Sequence, residues 1–399
     1  MHKLQTYIKR RLESEIYKRM SIFPAVLILG SRQCGKSTLV KMITAEREDY
    51  RCLDLQNIAD LNKISEPQLF FEANKEKVIC FDEIQQAPNL FSALRSEIDS
   101  DRRLGRFLLL GSASQELIQK SSETLAGRIG IVELSPFSID ELLLFEPQTD
   151  IKTYWNRGGY PDSFLAFNDE ASTIWREDFI KTYVQRDIPQ LGIQIPALQM
   201  RRFMTLCAHQ TGQLLNSSKM GESFGIAHTT IRRYIDLLEQ TFLVRVLMPY
   251  DHNEKKRLVK SPKMYIRDVG ILHQLLQIKD YNDLLGNPVF GASWESLVVE
   301  NICSIFSDCR FSFYRSASGD EMDLIIQKSN TIIAIECKAS VAPQVTKGFW
   351  NVISSVLPQK TFIVAPIAGY YPIKENVFVS GLNEVIPLIH KEFYSGTSF

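Results

Sequence analysis

The chain has 399 residues, 45% of them hydrophobic and 23% charged, with 46 lysines and arginines against 46 aspartates and glutamates. That length exceeds one ordinary core and implies two or three soluble globular domains. A formal net charge of zero excludes a protein that coats nucleic acid through bulk positive charge, so any such contact must come from a local patch.

Seven cysteines (Cys34, Cys52, Cys80, Cys207, Cys303, Cys309 and Cys337) form no C-x-x-C pair and stand beside no histidine cluster. They read as reduced thiols of a cytosolic protein rather than a disulfide frame or a zinc site. The N-terminal stretch "MHKLQTYIKRRLESEIYKRM" is charged throughout and is no signal peptide. No apolar run approaches the roughly 18 residues of a membrane helix. The expectation is a cytoplasmic protein with no membrane contact.

In chain order, residues 1–150 carry five short apolar runs, "AVLILG", "YRCLDL", "VICFDE", "FLLLGSAS" and "IGIVEL", separated by helical patterns. Continuous apolarity over so few residues is the signature of strands buried on both faces, and helices between them imply a parallel sheet. The fold class is therefore α/β. Residues 151–204, including "RGGYPDSFL", read as a helical lid, and 205–250 as a compact winged helix-turn-helix. The polar stretch Asp251 to Lys263 reads as a boundary, and 251–399 as a C-terminal α/β domain.

The stretch after the first strand, Gly30-Ser31-Arg32-Gln33-Cys34-Gly35-Lys36-Ser37-Thr38, matches the phosphate-gripping P-loop between strand and helix. Its glycines let backbone N–H groups wrap phosphate oxygens, and the following helix adds its positive N-terminal end. Lys36 is expected on the β and γ phosphates and Ser37 on Mg²⁺; Cys34 is a small spacer with no chemistry of its own. "VICFDE" ends in Asp82, the expected second Mg²⁺ partner, and Glu83, placed to polarise an attacking water. An acidic cap of the next helix is the structural alternative.

In P-loop ATPases with an extra strand beside the P-loop strand, a polar residue at the end of that strand senses the γ phosphate. Here Ser112 is preferred over Ser114 in "FLLLGSAS". Arg128 in "LAGRI" is a candidate arginine finger, acting within the chain or on a neighbour, with a surface ion pair as the alternative. No Asn-Lys-x-Asp pattern is evident, which favours ATP over GTP as the ligand.

The ordered set "GSRQCGKST", "CFDEIQQAP", "LLGSAS", "LAGRI", "LSPFSIDELL" and "RGGYP" resembles, over nearly the whole chain, the bacterial and archaeal AAA-type ATPases that carry a C-terminal domain of unknown function. The "GGYP" turn, Gly158 to Pro161, is similar to the glycine-x-proline element of the signal-transducing ATPases with numerous domains. That resemblance implies contact with the bound nucleotide.

In "LLNSSKMGESFGIAHTTIRRYIDLLEQTFLVRVLMPY", Ser217 or Ser218 is expected to cap one helix, Gly225 to form the turn, and Thr229 to cap the next. Ile231, Tyr234, Ile235 and Leu238 make one buried stripe, which leaves Arg232 and Arg233 outward. Those arginines suit DNA phosphates or guanines. Asp236 and Glu239 oppose that reading and suit a lid or a protein contact.

Further on, "GDEMDLIIQKSNTIIAIECKAS" reads as two strands joined at "QKSNT", with Glu336 and Lys338 on one face and Asp323 on the neighbouring strand. This Asp followed by Glu-x-Lys resembles the restriction-endonuclease-like superfamily. There two carboxylates hold Mg²⁺ and the lysine helps activate water. Glu295 in "WESLVVENIC" matches a further acidic position of that superfamily. An ion pair within a retained fold is the alternative, although charges inside the apolar strand "IIAIECKA" are costly without partners or a metal.

Three functions follow. The first is an ATP-binding, Mg²⁺-dependent ATPase whose nucleotide state switches the C-terminal domains. The second is an ATP-gated DNA-processing nuclease. The third is a non-hydrolysing nucleotide sensor that binds a protein partner. The first has two mutually supporting halves, the P-loop and Asp82–Glu83, and is the expectation carried forward.

Overall fold

The computed structural model describes residues 7–112, 123–191, 195–250 and 259–394; Ser114 lies outside them. The chain forms two compact units, one of Met1–Phe137 with Gln240–Phe242 and one of Ser138–Glu239 with Leu243–Phe399.

All five apolar runs of the first unit are strands: β1 (Ala25–Leu29), β2 (Tyr50–Asp54), β3 (Val78–Asp82), β4 (Phe107–Gly111) and β5 (Ile129–Glu133). They pair in parallel in the order β2-β3-β4-β1-β5, so β4 is the extra strand between β1 and β3. Successive side chains alternate faces. Leu27, Phe81 and Leu109 enter one core, while Val26, Ile28 and Leu110 enter the other. The helix Lys36–Ile43 that follows β1 joins the second core through Leu39, Val40 and Ile43.

In the second unit, helices Ala197–His209, Ser217–Phe224 and His228–Gln240 pack on a three-stranded antiparallel sheet. Its order is β6 (Gln213–Leu214), β8 (Lys263–Ile266), β7 (Val244–Leu247). The sheet's middle strand thus comes from beyond the polar stretch. Ile231, Ile235 and Leu238 are buried and Tyr234 half-buried, as the spacing required, and Arg232 and Arg233 are exposed. The cap of Ser217–Phe224 is not either serine: Asn216 accepts from the Lys219 amide at 3.0 Å. Thr229 lies inside the helix that opens at His228.

A mixed six-stranded sheet completes this unit, in the order β13 (Tyr370–Lys374), β14 (Val377–Ser380), β12 (Lys360–Val364), β11 (Thr331–Cys337), β10 (Glu321–Lys328), β9 (Arg310–Arg315). The antiparallel register Leu324↔Ile335 of β10 and β11 sets Asp323 beside Glu336. Among the described residues no helix is long and apolar enough to cross a membrane.

The two sheets of this unit are tied through the helix Phe290–Ile305, whose Glu300 carboxylate meets Arg245 and Arg267, each at 2.7 Å. Burial pushes the Glu300 pKa up, but the two guanidinium charges outweigh it and hold the pKa at about 2. A depressed carboxylate pKa adds stability above the unfolded value and loses it as pH falls. Glu300→Gln is therefore expected to destabilise this unit by about 3 kcal/mol at pH 7, measured by chemical denaturation. The deficit should shrink as pH drops from about 4.5 towards 2.

Candidate functional site

The carboxyl edge of the parallel sheet collects the expected nucleotide residues. After β1 the chain turns at Gly30, where an added Cβ would stand 2.3 Å from the Leu134 carbonyl oxygen, so only glycine fits. Gly35 takes φ 101°, the left-handed region open to glycine. Between them Cys34 is fully buried and fills space, as a spacer should.

Lys36, 6% exposed, curls back into the loop, and its Nζ donates to the Gly30 and Ser31 carbonyls, each at 2.9 Å. The Ser31 hydroxyl is buried and has no hydrogen-bond partner, the state expected of a donor reserved for a phosphate oxygen. Ser37 Oγ donates to Asp82 Oδ2 at 2.5 Å across 45 residues of sequence. The two oxygens expected on Mg²⁺ are therefore already adjacent, and the donor set fits that ion. Ser37 and Thr38 are exposed and Arg32 is half-buried.

Glu83 follows Asp82 in a left-handed conformation, φ 57° and ψ 47°. For a residue with a Cβ this costs about 1–2 kcal/mol, which the site must hold in place. The Glu83 amide donates to Asp82 Oδ1 at 3.0 Å, and the carboxylate is met by Gln85, whose Nε2 donates to Glu83 Oε2 and, at 2.9 Å, to Ser112 Oγ. Ser112 thus sits beside the loop, because Gly111 pairs in register with Leu29, and it connects to Glu83 through Gln85.

Sequence reasoning missed Gln85, although it lies within the "CFDEIQQAP" stretch. It also missed Arg10, whose guanidinium donates to the Cys34 carbonyl at 2.9 Å and to the Ser135 carbonyl at 2.6 Å, and so braces the loop from outside. The only signal for Arg10 was a basic run, "KRR", and most such runs are solvated.

Arg128 is not in this group. It precedes β5, and β5 runs parallel to β1 with Ala25 opposite Ile129. Arg128 therefore stands at the amino edge of the sheet, the length of β1 (roughly 15 Å at 3.3 Å per residue) from the loop. There Nε donates to Asp99 at 2.6 Å. This excludes Arg128 as a finger for its own chain's nucleotide; only a neighbour's site remains open to it.

In the second unit the "GGYP" turn holds an internal anion. The Gly159 amide, which the resemblance would direct at a nucleotide, donates to Asp268 Oδ2 at 2.8 Å. Burial raises the Asp268 pKa, against backbone donors and the Arg176 charge.

Glu295, Asp323, Glu336 and Lys338 do come together, lining one cleft of about 860 Å³. They are joined by a residue that the sequence did not single out, Lys263 of β8, which is 2% exposed. Its Nζ lies 2.9 Å from Glu295, 2.7 Å from Glu321 and 3.2 Å from Asp323. Lys338 pairs with Glu336 at 2.7 Å. Burial and the neighbouring Asp323 charge push Glu295 up to about 7 and Glu336 up to about 8.

Among the described residues no three His, Cys, Asp or Glu side chains are disposed to hold a metal ion together. The Mg²⁺ expected on this second cluster does not fit the arrangement present, because an ammonium already stands among the carboxylates.

A family model described as "AAA domain" matches residues 23–143, which hold the parallel sheet and the edge with Gly30, Lys36, Ser37 and Asp82. Two further models, both domains of unknown function, match residues 148–282 (DUF8612) and 290–385 (DUF4143). The chain belongs to the family of the uncharacterized protein Rv2008c of Mycobacterium tuberculosis. The two are 34% identical over 378 residues, 95% of this chain and 84% of that protein. An uncharacterized protein of Haemophilus influenzae is 25% identical over 300 residues, 66% of this chain and 72% of its own length. Among solved structures, the Walker-type ATPase paby2304 of Pyrococcus abyssi is 18% identical and covers 68% of this chain and 96% of its own, with a TM-score of 0.45.

Gln85 joins the Glu83 carboxylate to the Ser112 hydroxyl. Gln85→Ala is expected to slow ATP turnover about 10- to 100-fold while leaving the Kd for ATP unchanged, a split read by pairing steady-state kinetics with a binding isotherm.

Proposed function

We propose that the chain is a Mg²⁺-dependent ATPase acting in the cytosol, whose nucleotide state switches the unit formed by Ser138–Glu239 and Leu243–Phe399. The observation that carries this reading is the Ser37–Asp82 hydrogen bond with Lys36 folded into the loop between Gly30 and Ser31. Ser37 and Asp82 would hold Mg²⁺, which when bound neutralises charge on the transferred phosphate. Lys36 swings from two carbonyls to phosphate oxygens. Glu83 takes a proton from the attacking water, and Gln85 with Ser112 keeps its carboxylate aimed.

In this reading residues 1–150 are the ATPase core, 151–204 a lid, 205–250 a winged helix and 251–399 a restriction-endonuclease-like domain. Glu83→Gln is expected to keep ATP binding and lose turnover by about 100-fold or more. Turnover at the wild-type rate in that variant would remove Glu83 from the mechanism. Undetectable nucleotide binding by the wild type would overturn the whole reading, whereas bound nucleotide without turnover would favour a non-hydrolysing sensor.

A second reading, ATP-controlled DNA binding or processing, is favoured by one observation. Arg232 and Arg233 lie on the exposed face of His228–Gln240, with His228 and Thr229 exposed beside them. The double variant Arg232→Ala/Arg233→Ala is expected to weaken binding to duplex DNA about tenfold or more at moderate salt and to flatten the salt dependence by about two units. Unchanged DNA binding, or none in the wild type, leaves that helix a protein-contact surface.

A further inference from the structure

All seven cysteines are free thiols, and two of them face each other across the first sheet. Cys52 of β2 and Cys80 of β3 are register partners in the parallel ladder. Register partners present their side chains on the same face of a sheet. Neighbouring strands stand about 4.8 Å apart, inside the roughly 4.4–6.8 Å between Cα atoms that a disulfide spans. β2 is the edge strand, paired among the described residues with β3 alone, so it has room to close on that neighbour.

The two thiols differ in access. Cys52 is exposed. Cys80 is fully buried, in the core that also holds Leu39 and Val40 of the helix Lys36–Ile43. The Cys80 thiol pulls the Cys52 pKa down to about 7, against the burial that raises it. A reachable thiol that ionises near neutral pH is the first target of an oxidant, and a second cysteine beside it resolves the product.

We propose that Cys52 and Cys80 are a reversible redox pair: hydrogen peroxide oxidises Cys52, Cys80 closes a disulfide onto it, and that bond impairs the nucleotide site. The Cys52 thiolate attacks the peroxide O–O bond, which gives a sulfenic acid and releases hydroxide. Cys80 gives up its proton and attacks Cys52 Sγ; the S–S bond forms, the S–O bond breaks, and water leaves. Two thiols and one hydrogen peroxide thus become one disulfide and two waters.

The effect on the site rests on the nucleotide reading proposed above; the bond itself does not. Asp82 follows Cys80 by two residues on the same face of β3 and accepts the Ser37 hydroxyl. Cys80 also shares a core with the helix that opens with Lys36 and Ser37. A tether that draws Cys80 towards the edge strand therefore acts on both sides of the Ser37–Asp82 contact.

The test exposes the full-length chain to a small molar excess of hydrogen peroxide and then traps the remaining thiols by alkylation. It reads the thiol count, the peptide that joins Cys52 to Cys80, and MgATP affinity and turnover before and after reduction by dithiothreitol. The wild type should lose two thiols, yield the joined peptide and drop in turnover by about tenfold or more, with recovery on reduction. Cys52→Ser alters an exposed side chain, should match the reduced wild type and should keep its turnover through the peroxide step. Cys80→Ala should leave Cys52 a sulfenic acid and yield no joined peptide.

Three results overturn the proposal: no joined peptide from the folded wild type, a joined peptide with MgATP affinity and turnover unchanged, or a loss of turnover in Cys52→Ser as large as in the wild type. A joined peptide from a chain whose reduced form binds no MgATP refutes the nucleotide reading and leaves the redox pair standing.

Discussion

The nucleotide site depends on one constraint: all five strands of the first sheet run the same way, so their carboxyl ends share one edge. Gly30 follows β1, Asp82 ends β3, Ser112 follows β4, and the Leu134 carbonyl that crowds Gly30 follows β5. Parallel pairing alone therefore brings residues about 50, 80 and 100 positions from Gly30 to a single edge of the sheet, where ligands of open α/β sheets bind. The same constraint places Arg128, which precedes its strand, at the wrong edge for its own site.

Buried charge organises the second unit in the same way that backbone amides organise the first. Glu300 with Arg245 and Arg267 ties the three-stranded sheet to the helix Phe290–Ile305, and Lys263 with Glu295, Glu321 and Asp323 ties the same sheet to β10. Buried ion groups add little net stability over apolar packing, but they are strict about geometry.

The first sheet and the loop after β1 were legible in the sequence because they rest on local pattern: short apolar runs bounded by glycine and acid, and glycines at fixed offsets. Asp82 and Glu83 were legible for the same reason. Gln85, Arg10 and Lys263 were not. Each acts on a partner brought near by tertiary folding: Ser112 lies 27 residues from Gln85, Cys34 lies 24 from Arg10, and Asp323 lies 60 from Lys263. The Asp323, Glu336 and Lys338 motif pointed to residues that line one cleft, but not to the Lys263 ammonium that stands among them. The resemblance of the "GGYP" turn implied contact with a nucleotide, but not that the Gly159 amide would donate to Asp268 from 109 residues away.

The central claim is that the edge built from Gly30, Lys36, Ser37, Asp82 and Glu83 binds and turns over ATP. The most direct measurement is MgATP affinity and steady-state phosphate release by the full chain beside Lys36→Ala. The account predicts that the wild type binds and hydrolyses MgATP, and that the variant loses affinity and turnover by about 100-fold or more. Equal binding and turnover in the two proteins would contradict it.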